Sequence, residues 1–193
     1  MRISQVISLT QTGVVALSCW TFPNVVLGEE LWLSYNSISG GVPSWPFTLP
    51  SLLQLDLSYN KLVGPIDRIQ KPSPIQEVYL SYNNISGSIP CSIFDLVNLT
   101  SLDLSSNNLS GVIKSDMLSK FTSLEFLDVS SNSLLSFSTS GNDVNSSFPQ
   151  LTTVIFSGCS VRQFPNFFRT SKLAFLDLSN NVISGGISKW EAE

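Results

Sequence analysis

Residues Leu55–Asn60 read LDLSYN, and this six-residue phrase, in general form Leu-x-Leu-Ser-x-Asn, returns along most of the chain. Successive copies end 24, 23, 24, 25, 27 and 22 residues apart. The leucines alternate with polar residues, which is the period-two pattern of a short strand with one buried face. Because one such strand cannot bury its leucines alone, we expect the copies to stack as a parallel sheet that grows along a solenoid. The copies are LWLSYN (Leu31–Asn36), LDLSYN (Leu55–Asn60), VYLSYN (Val78–Asn83), LDLSSN (Leu102–Asn107), LDVSSN (Leu127–Asn132), VIFSGC (Val154–Cys159) and LDLSNN (Leu176–Asn181).

The last residue of each phrase is expected to be structural. A side-chain amide at the end of a strand can bond the backbone groups that the turn leaves unpaired, and repetition makes a ladder of such amides. In one copy the residue is a cysteine, and we expect a buried thiol there rather than a reactive one. After the ladder residue of the second copy, Leu62 and Ile66 should turn inward, and Gly64 suits a tight bend. The ladder consists of Asn36, Asn60, Asn83, Asn107, Asn132, Cys159 and Asn181.

Composition argues against catalysis. The 193 residues include no histidine, which removes the commonest general base and metal ligand at neutral pH. The three cysteines are far apart and have no zinc or disulfide-framework spacing. Asp56, Asp103, Asp128 and Asp177 share one repeat position, which indicates a solvated face and not a catalytic pair. We therefore expect no enzyme, no cofactor and no metal.

Charge and hydropathy narrow the partners further. The formal charge of −4 comes without a basic stripe, which disfavours nucleic acid. No apolar run reaches about 18 residues, so the sequence predicts no membrane span within this chain.

The variable positions of the strands are the candidate binding residues. Those of the first three copies carry exposed aromatic and acidic side chains, with Glu30, Gln54 and Glu77 nearby. Tyr35, Tyr59 and Tyr82 occupy one repeat position and should stack as a column, which favours a binding hot spot or, alternatively, only a stiffer sheet. Acidic neighbours would prefer a partner with some positive charge, and Phe126 and Phe175 extend the patch. The ligand-binding candidates are Trp32, Tyr35, Asp56, Tyr59, Tyr79 and Tyr82.

Four asparagines stand in N-x-Ser/Thr sequons, at Asn84, Asn98, Asn108 and Asn145. The first three follow a ladder residue or precede a strand and should face water. These sites are expected to carry glycans if the protein is secreted.

The repeats resemble a known family. A period of roughly 20–29 residues with this phrase is similar to the leucine-rich repeat. Residues Asn84–Pro90 read NISGSIP, and Gly40–Pro43 is close to it, which resembles the plant-specific subclass of such repeats. The order of segments over Asn98–Trp190 is similar to the ectodomains of plant disease-resistance-type receptor-like proteins. The resemblance implies an α/β solenoid class: a leucine-rich-repeat arc with a parallel β-sheet on the concave face and a mostly irregular or 3-10 convex side.

The domain organisation follows from the repeats. Residues 27–193 should form the leucine-rich-repeat domain, of about seven repeats without caps. Residues 1–26 are either a degenerate repeat or a weak signal-like segment, since polar residues interrupt the apolar stretch. The Ser-, Asn- and Gly-rich residues 136–147 are expected to leave the solenoid as a loop insertion.

The family resemblance implies a non-catalytic recognition module of an extracellular receptor-like ectodomain. It would bind a peptide or protein ligand in plant defence or development signalling, and act with co-receptor kinases through the full-length receptor. The module would lie on the extracellular side of the plasma membrane, or the protein would be secreted. The alternatives are a secreted polygalacturonase-inhibitor-like protein and a truncated product without independent function.

Overall fold

The structure is a computed structural model that describes residues 28–70, 73–138, 150–165 and 172–185. The described residues form a parallel β-solenoid with two parallel sheets. The strands, in chain order, are β1 (Glu30–Trp32), β2 (Ser39–Val42), β3 (Gln54–Asp56), β4 (Lys61–Ile66), β5 (Glu77–Tyr79), β6 (Asn84–Ser88), β7 (Ser101–Asp103), β8 (Asn108–Lys114), β9 (Phe126–Asp128), β10 (Leu134–Ser138), β11 (Thr153–Ile155) and β12 (Phe175–Asp177).

The first sheet contains the strands of the repeated phrase, in the order β1-β3-β5-β7-β9-β11-β12. Each strand has its middle residue in register with that of its neighbour, as in the pairs Leu31–Leu55 and Leu55–Val78. Leu31, Leu55 and Val78 are at most 1% exposed. Burying such a side chain stabilises the fold by about 2 kcal/mol, so the phrase specifies both strand and register. The predicted parallel sheet and solenoid are confirmed.

A second parallel sheet, in the order β10-β8-β6-β4-β2, adds to the predicted architecture. In β4, Leu62 and Ile66 are buried while Val63 and Pro65 are exposed. Gly64 has φ +72°, which L residues rarely adopt, and it lets this strand kink without leaving the sheet.

Short helical turns complete the back of the solenoid. They are 3-10 helices at Trp45–Thr48 and Cys91–Ile93, and one turn of α-helix, α1, at Ser115–Leu118. Phe47 and Ile93 are each 0% exposed, so these turns close the core on the side away from the first sheet.

The expected loop at residues 136–147 begins later than predicted. Strand β10 continues to Ser138, so Ser136, Phe137 and Ser138 belong to the second sheet. The physical reason is packing, because the ring of Phe137 lies edge-on to that of Phe156 with centroids 5.1 Å apart. The remainder of the expected loop, residues 139–147, lies outside the described residues, and so does the segment at 1–26, with its two interpretations.

The ladder residues connect each repeat to the one before it. Asn132 is 0% exposed, and its Nδ2 donates to the carbonyl oxygens of Leu104 (3.0 Å), Val129 (2.9 Å) and Ser130 (3.2 Å). Its Oδ1 accepts from the N–H of Leu109 at 2.9 Å. The same pattern recurs at Asn60, Asn83, Asn107 and Asn181.

Cys159 takes the ladder position with weaker bonds. Its Sγ lies 3.3 Å from the Val129 carbonyl oxygen and 3.8 Å from that of Ser157. Burial raises the pKa of this thiol, with a further contribution from the charge of Asp128, and this keeps the thiol in its unreactive protonated form. In the preceding repeat, Leu134 is 60% exposed and Leu135 is buried. The residue that faces the core after the ladder asparagine is therefore one position later than in the other repeats.

Candidate ligand-binding surface

The variable residues of the first sheet form continuous rows across the strands. Trp32 pairs with Asp56, Asp56 with Tyr79, and Tyr79 with Asp103, so three of the predicted binding residues lie side by side. Trp32 is 48% exposed, and Asp56 and Tyr79 are partly exposed. Since alternate residues of a strand point to opposite faces, this row faces away from the leucine core.

The other three predicted residues form the expected column of rings, here named the tyrosine column (Tyr35, Tyr59 and Tyr82). Adjacent rings are nearly parallel, at 9°, with centroids 4.2 Å apart in both pairs. Their exposed fractions are 75%, 37% and 51% in that order. The stack keeps three large apolar surfaces ordered and in contact with water.

The backbone of the tyrosine column is unusual for aromatic residues. Tyr35, Tyr59 and Tyr82 have φ of 55°, 53° and 54°, in the left-handed region. A side chain with a β-carbon costs roughly 1–2 kcal/mol there, and glycine or asparagine fits more readily. Asn180 occupies the equivalent position of a later repeat, with φ 53°. Large rings at a position that favours small residues motivate a functional interpretation.

The middle ring of the tyrosine column, Tyr59, has a raised pKa. The hydrogen bond with the Tyr35 side chain, assisted by desolvation and by Tyr82, raises the pKa of Tyr59 to about 12. Lys61 and the amides of Asn60 and Asn83 line the same shallow depression. Lys61 was not among the predicted residues, although its place directly after a ladder asparagine was the available signal.

The acidic residues of the sheet are held by the serine two positions later. Asp56 Oδ1 accepts from the N–H of Ser58 at 2.9 Å and from its hydroxyl at 2.6 Å. Equivalent backbone N–H bonds of 2.8–2.9 Å reach Asp103, Asp128 and Asp177. These donors orient the carboxylates without neutralising them, because a serine N–H carries no net charge.

The pKa values of Asp128 and Asp177 are shifted in opposite directions by their surroundings. Burial raises the pKa of Asp128, and the negative charges of Asp103 and Asp177 add to the effect against the opposing bonds from Ser130. The bonds from Ser179 lower the pKa of the partly exposed Asp177.

Further aromatic and acidic groups extend the surface. Tyr79 Oη donates to Glu77 Oε2 at 2.8 Å, and burial raises the pKa of this phenol. Phe126 and Phe175 lie in one row, separated by Thr153 of β11. Phe175 is 53% exposed, so the far end of the sheet also presents an aromatic ring.

Three of the four sequons lie outside the first sheet, among the described residues. Asn84 and Asn108 begin β6 and β8 of the second sheet, and both are exposed. Asn98 is exposed in the turn before β7. Asn145 lies outside the described residues. Glycosylation at these positions stays a prediction.

Comparison with known proteins agrees with this geometry. A family model described as leucine rich repeat matches residues 73–134, and another described in the same way matches residues 29–49. Both regions contain the stacked strands and ladder described above. The chain contains leucine-rich repeats.

The leucine-rich repeats of this chain are homologous to those of plant receptor-like proteins. Over 198 residues the chain is 39% identical to Receptor like protein 24 of Arabidopsis thaliana, which covers 88% of this chain and 22% of that protein. The chain thus spans less than a quarter of that relative's length, and 8% of the length of the Arabidopsis Receptor-like protein 35.

Solved structures of plant leucine-rich-repeat proteins have the same architecture. The PEPR1–AtPEP1 complex superposes with a TM-score of 0.72 and 30% identity, over 86% of this chain and 23% of that one. The ectodomain of the Arabidopsis receptor kinase HAESA, in complex with an extended IDA peptide hormone, superposes with a TM-score of 0.69 and 30% identity. That match covers 78% of this chain and 25% of that one.

Across 28–70, 73–138, 150–165 and 172–185, no helix is long and apolar enough to cross a membrane. Within the same ranges, no group of three or more histidine, cysteine or acidic side chains is placed to hold a metal ion.

Proposed function

We propose that this chain is a non-catalytic recognition module of a plant receptor-like protein, which binds a peptide or protein ligand on the first sheet. The observation that carries the proposal is the tyrosine column. Three ordered rings stay exposed at backbone positions that favour small residues. Rigid exposed aromatics bury a large area on binding and lose little side-chain entropy, which is typical of binding hot spots.

A solved structure of similar fold supports a recognition role. HAESA is a receptor kinase whose leucine-rich-repeat ectodomain binds a peptide hormone, and the match covers 78% of the present chain. In the proposal, the complete receptor holds this module on the extracellular side of the plasma membrane and signals with co-receptor kinases.

The test begins with ligand capture. The full 193-residue chain is immobilised and exposed to the extracellular peptide fraction of plant tissue, and retained peptides are identified by mass spectrometry. Each is then synthesised and its affinity measured by calorimetry. In the double variant Tyr59→Ala/Tyr82→Ala we expect binding to weaken about tenfold or more, since truncating a hot-spot ring costs roughly 1–2 kcal/mol.

A matched control removes exposed apolar groups from the other sheet. Val63 and Val112 are 44% and 48% exposed on β4 and β8, so Val63→Ala/Val112→Ala should leave affinity unchanged. Circular dichroism must be the same in all three proteins. Equal affinity of the tyrosine variant and the wild type would overturn the proposal. Capture of a cell-wall-degrading enzyme, with no peptide retained, would also overturn it, because that result is the one expected of a secreted inhibitor.

The extracellular placement has its own measurement. When the chain is expressed through the secretory pathway of plant cells, glycans at Asn84, Asn98 and Asn108 should give a mobility shift that glycosidase treatment removes. Substituting each asparagine by glutamine should remove one step of the shift. Three unmodified sites after secretion would contradict the prediction that these exposed sequons are used.

A further inference from the structure

The charge of the first sheet is one-sided. Its seven strands carry six carboxylates and, among these described strands, no lysine or arginine. The strands of the second sheet carry Lys61 and Lys114 and no acidic residue. The six are Glu30, Asp56, Glu77, Asp103, Asp128 and Asp177.

An exposed aromatic ring stands on each edge strand of the first sheet. Trp32, at one edge strand, is 48% exposed, and Phe175, at the other edge strand, is 53% exposed. Asp56, Asp103 and Asp128 occupy the strands between them. Glu30 and Asp177 lie on these same edge strands, so negative charge runs across the whole sheet, with four of the six carboxylates on the inner strands and an exposed aromatic ring at each edge.

The acidic groups repel one another in the absence of a partner. Asp103, Asp128 and Asp177 share one row of the sheet, and the bonds from serine N–H groups leave their charges in place. Each would gain from a cation that approaches from the open face. The net charge of −4 would also speed the encounter with a positively charged partner.

The dimensions of the sheet limit the length of the partner. Seven parallel strands spaced about 4.8 Å apart span about 29 Å from the first to the last. An extended peptide advances about 3.3 Å per residue, so about nine residues reach from Trp32 to Phe175.

We propose that the occupant of the first sheet is an extended peptide of about nine residues, with positively charged side chains at its centre and bulky apolar side chains toward its ends. This inference rests on the proposed function and adds the chemical class of the ligand. The tyrosine column lies beside the row that contains Asp56 and Asp103. It would contact the half of the peptide nearest Trp32.

The probe is a synthetic peptide, Gly-Phe-Gly-Lys-Arg-Lys-Gly-Phe-Gly, labelled with fluorescein and titrated with the full chain while anisotropy is recorded. Two matched peptides replace the three central basic residues by glutamate, or the two phenylalanines by alanine. We expect saturable binding of the first peptide that weakens with added salt. The alanine peptide should bind more weakly, and the glutamate peptide should not bind at up to about 1 mM.

Variants of the protein locate the contact. Asp56→Asn/Asp103→Asn keeps the oxygens that accept from Ser58 and Ser105 but removes two charges, and it should weaken the cationic peptide about fivefold, at roughly 0.5 kcal/mol per charge. Asp67→Asn/Asp116→Asn removes two charges from exposed positions outside the first sheet and is the matched control. Its affinity should equal that of the wild type.

Three results would overturn the inference: no saturable binding of the cationic peptide, equal binding of the glutamate peptide, or equal loss in the two double variants. None of these three results rejects the proposed function itself. A captured plant peptide that needs Tyr59 and Tyr82 but carries no positive charge would reject the charge preference and retain the recognition module.

Discussion

Asn132 donates from Nδ2 to the carbonyl oxygen of Leu104, 3.0 Å away in the preceding repeat. The same buried amide accepts from the N–H of Leu109 and donates to Val129. Asn132→Ala would remove these bonds from buried backbone groups, at about 1 kcal/mol or more each. We expect the free energy of unfolding to fall by about 3 kcal/mol, measured by urea denaturation with circular dichroism.

Cys159→Ala is the matched comparison at the same ladder position. The thiol makes only two long contacts, at 3.3 and 3.8 Å, so its loss should cost about 1 kcal/mol, mainly through packing. Equal losses in the two variants would contradict the view that the amide network, and not side-chain volume, joins the repeats.

Much of the fold follows from the repeated phrase, because the alternation of leucine with polar residues fixes strand, face and register together. The second sheet escaped prediction because its strands contain Gly64 and Pro65, which in sequence indicate a turn. The tyrosine column could be anticipated because Tyr35, Tyr59 and Tyr82 share a repeat position. The left-handed backbone of the tyrosine column and the depression beside Lys61 could not be anticipated from the sequence. Both depend on the conformation of the chain where it leaves each strand.

The raised pKa of Tyr59 can be measured directly. Phenolate absorbance of the wild type minus that of Tyr59→Phe should titrate near pH 12, above the usual value of about 10. Tyr35→Phe should lower the pKa of Tyr59, because the bond with Tyr35 is the largest cause of the shift. Tyr82→Phe should lower it less. Ionisation of Tyr59 near pH 10 in the folded wild type would contradict the raised pKa of this residue.

Asp128 and Asp177 should affect stability in opposite directions. Burial raises the pKa of Asp128 in the folded state, so the folded protein binds the proton more tightly than the unfolded chain. The free energy of unfolding therefore falls as pH rises through the folded pKa. Asp128→Asn keeps the acceptor for Ser130 and removes the charge, so it should raise Tm at pH 7. The gain should vanish at about pH 3, where the carboxyl of the wild type is protonated.

The comparison variant is Asp177→Asn. The pKa of Asp177 is lowered in the folded state, so its carboxylate contributes stability above the unfolded pKa, and that contribution is lost as pH falls through the folded pKa. The substitution should lower Tm only slightly at pH 7, because the group is partly exposed and water screens its interactions. Scanning calorimetry at both pH values measures the pair, and a lower Tm for Asp128→Asn at pH 7 would refute the assignment.

The two cysteines in the described residues should differ in reactivity. Cys91 is exposed in its 3-10 helix, whereas Cys159 is buried and burial raises the pKa of its thiol. Alkylation with iodoacetamide under native conditions, followed by peptide mass spectrometry, should modify Cys91 and spare Cys159. Addition of denaturant should make both reactive. Rapid native labelling of Cys159 would show that this ladder position opens far more often than the structure indicates.

The bonds of each ladder amide reach only its own repeat and the one before it, as Asn132 reaches Leu104. A gene duplication or deletion of one unit of about 24 residues would therefore leave the remaining junctions intact. Duplication of the unit that contains Asp56 and Tyr59, for example, would add a ring to the tyrosine column and a charge to the row of Asp56 and Asp103 at once. Lineages of this protein could thus change the reach and the valence of the binding face by altering the number of repeats, without a single point mutation.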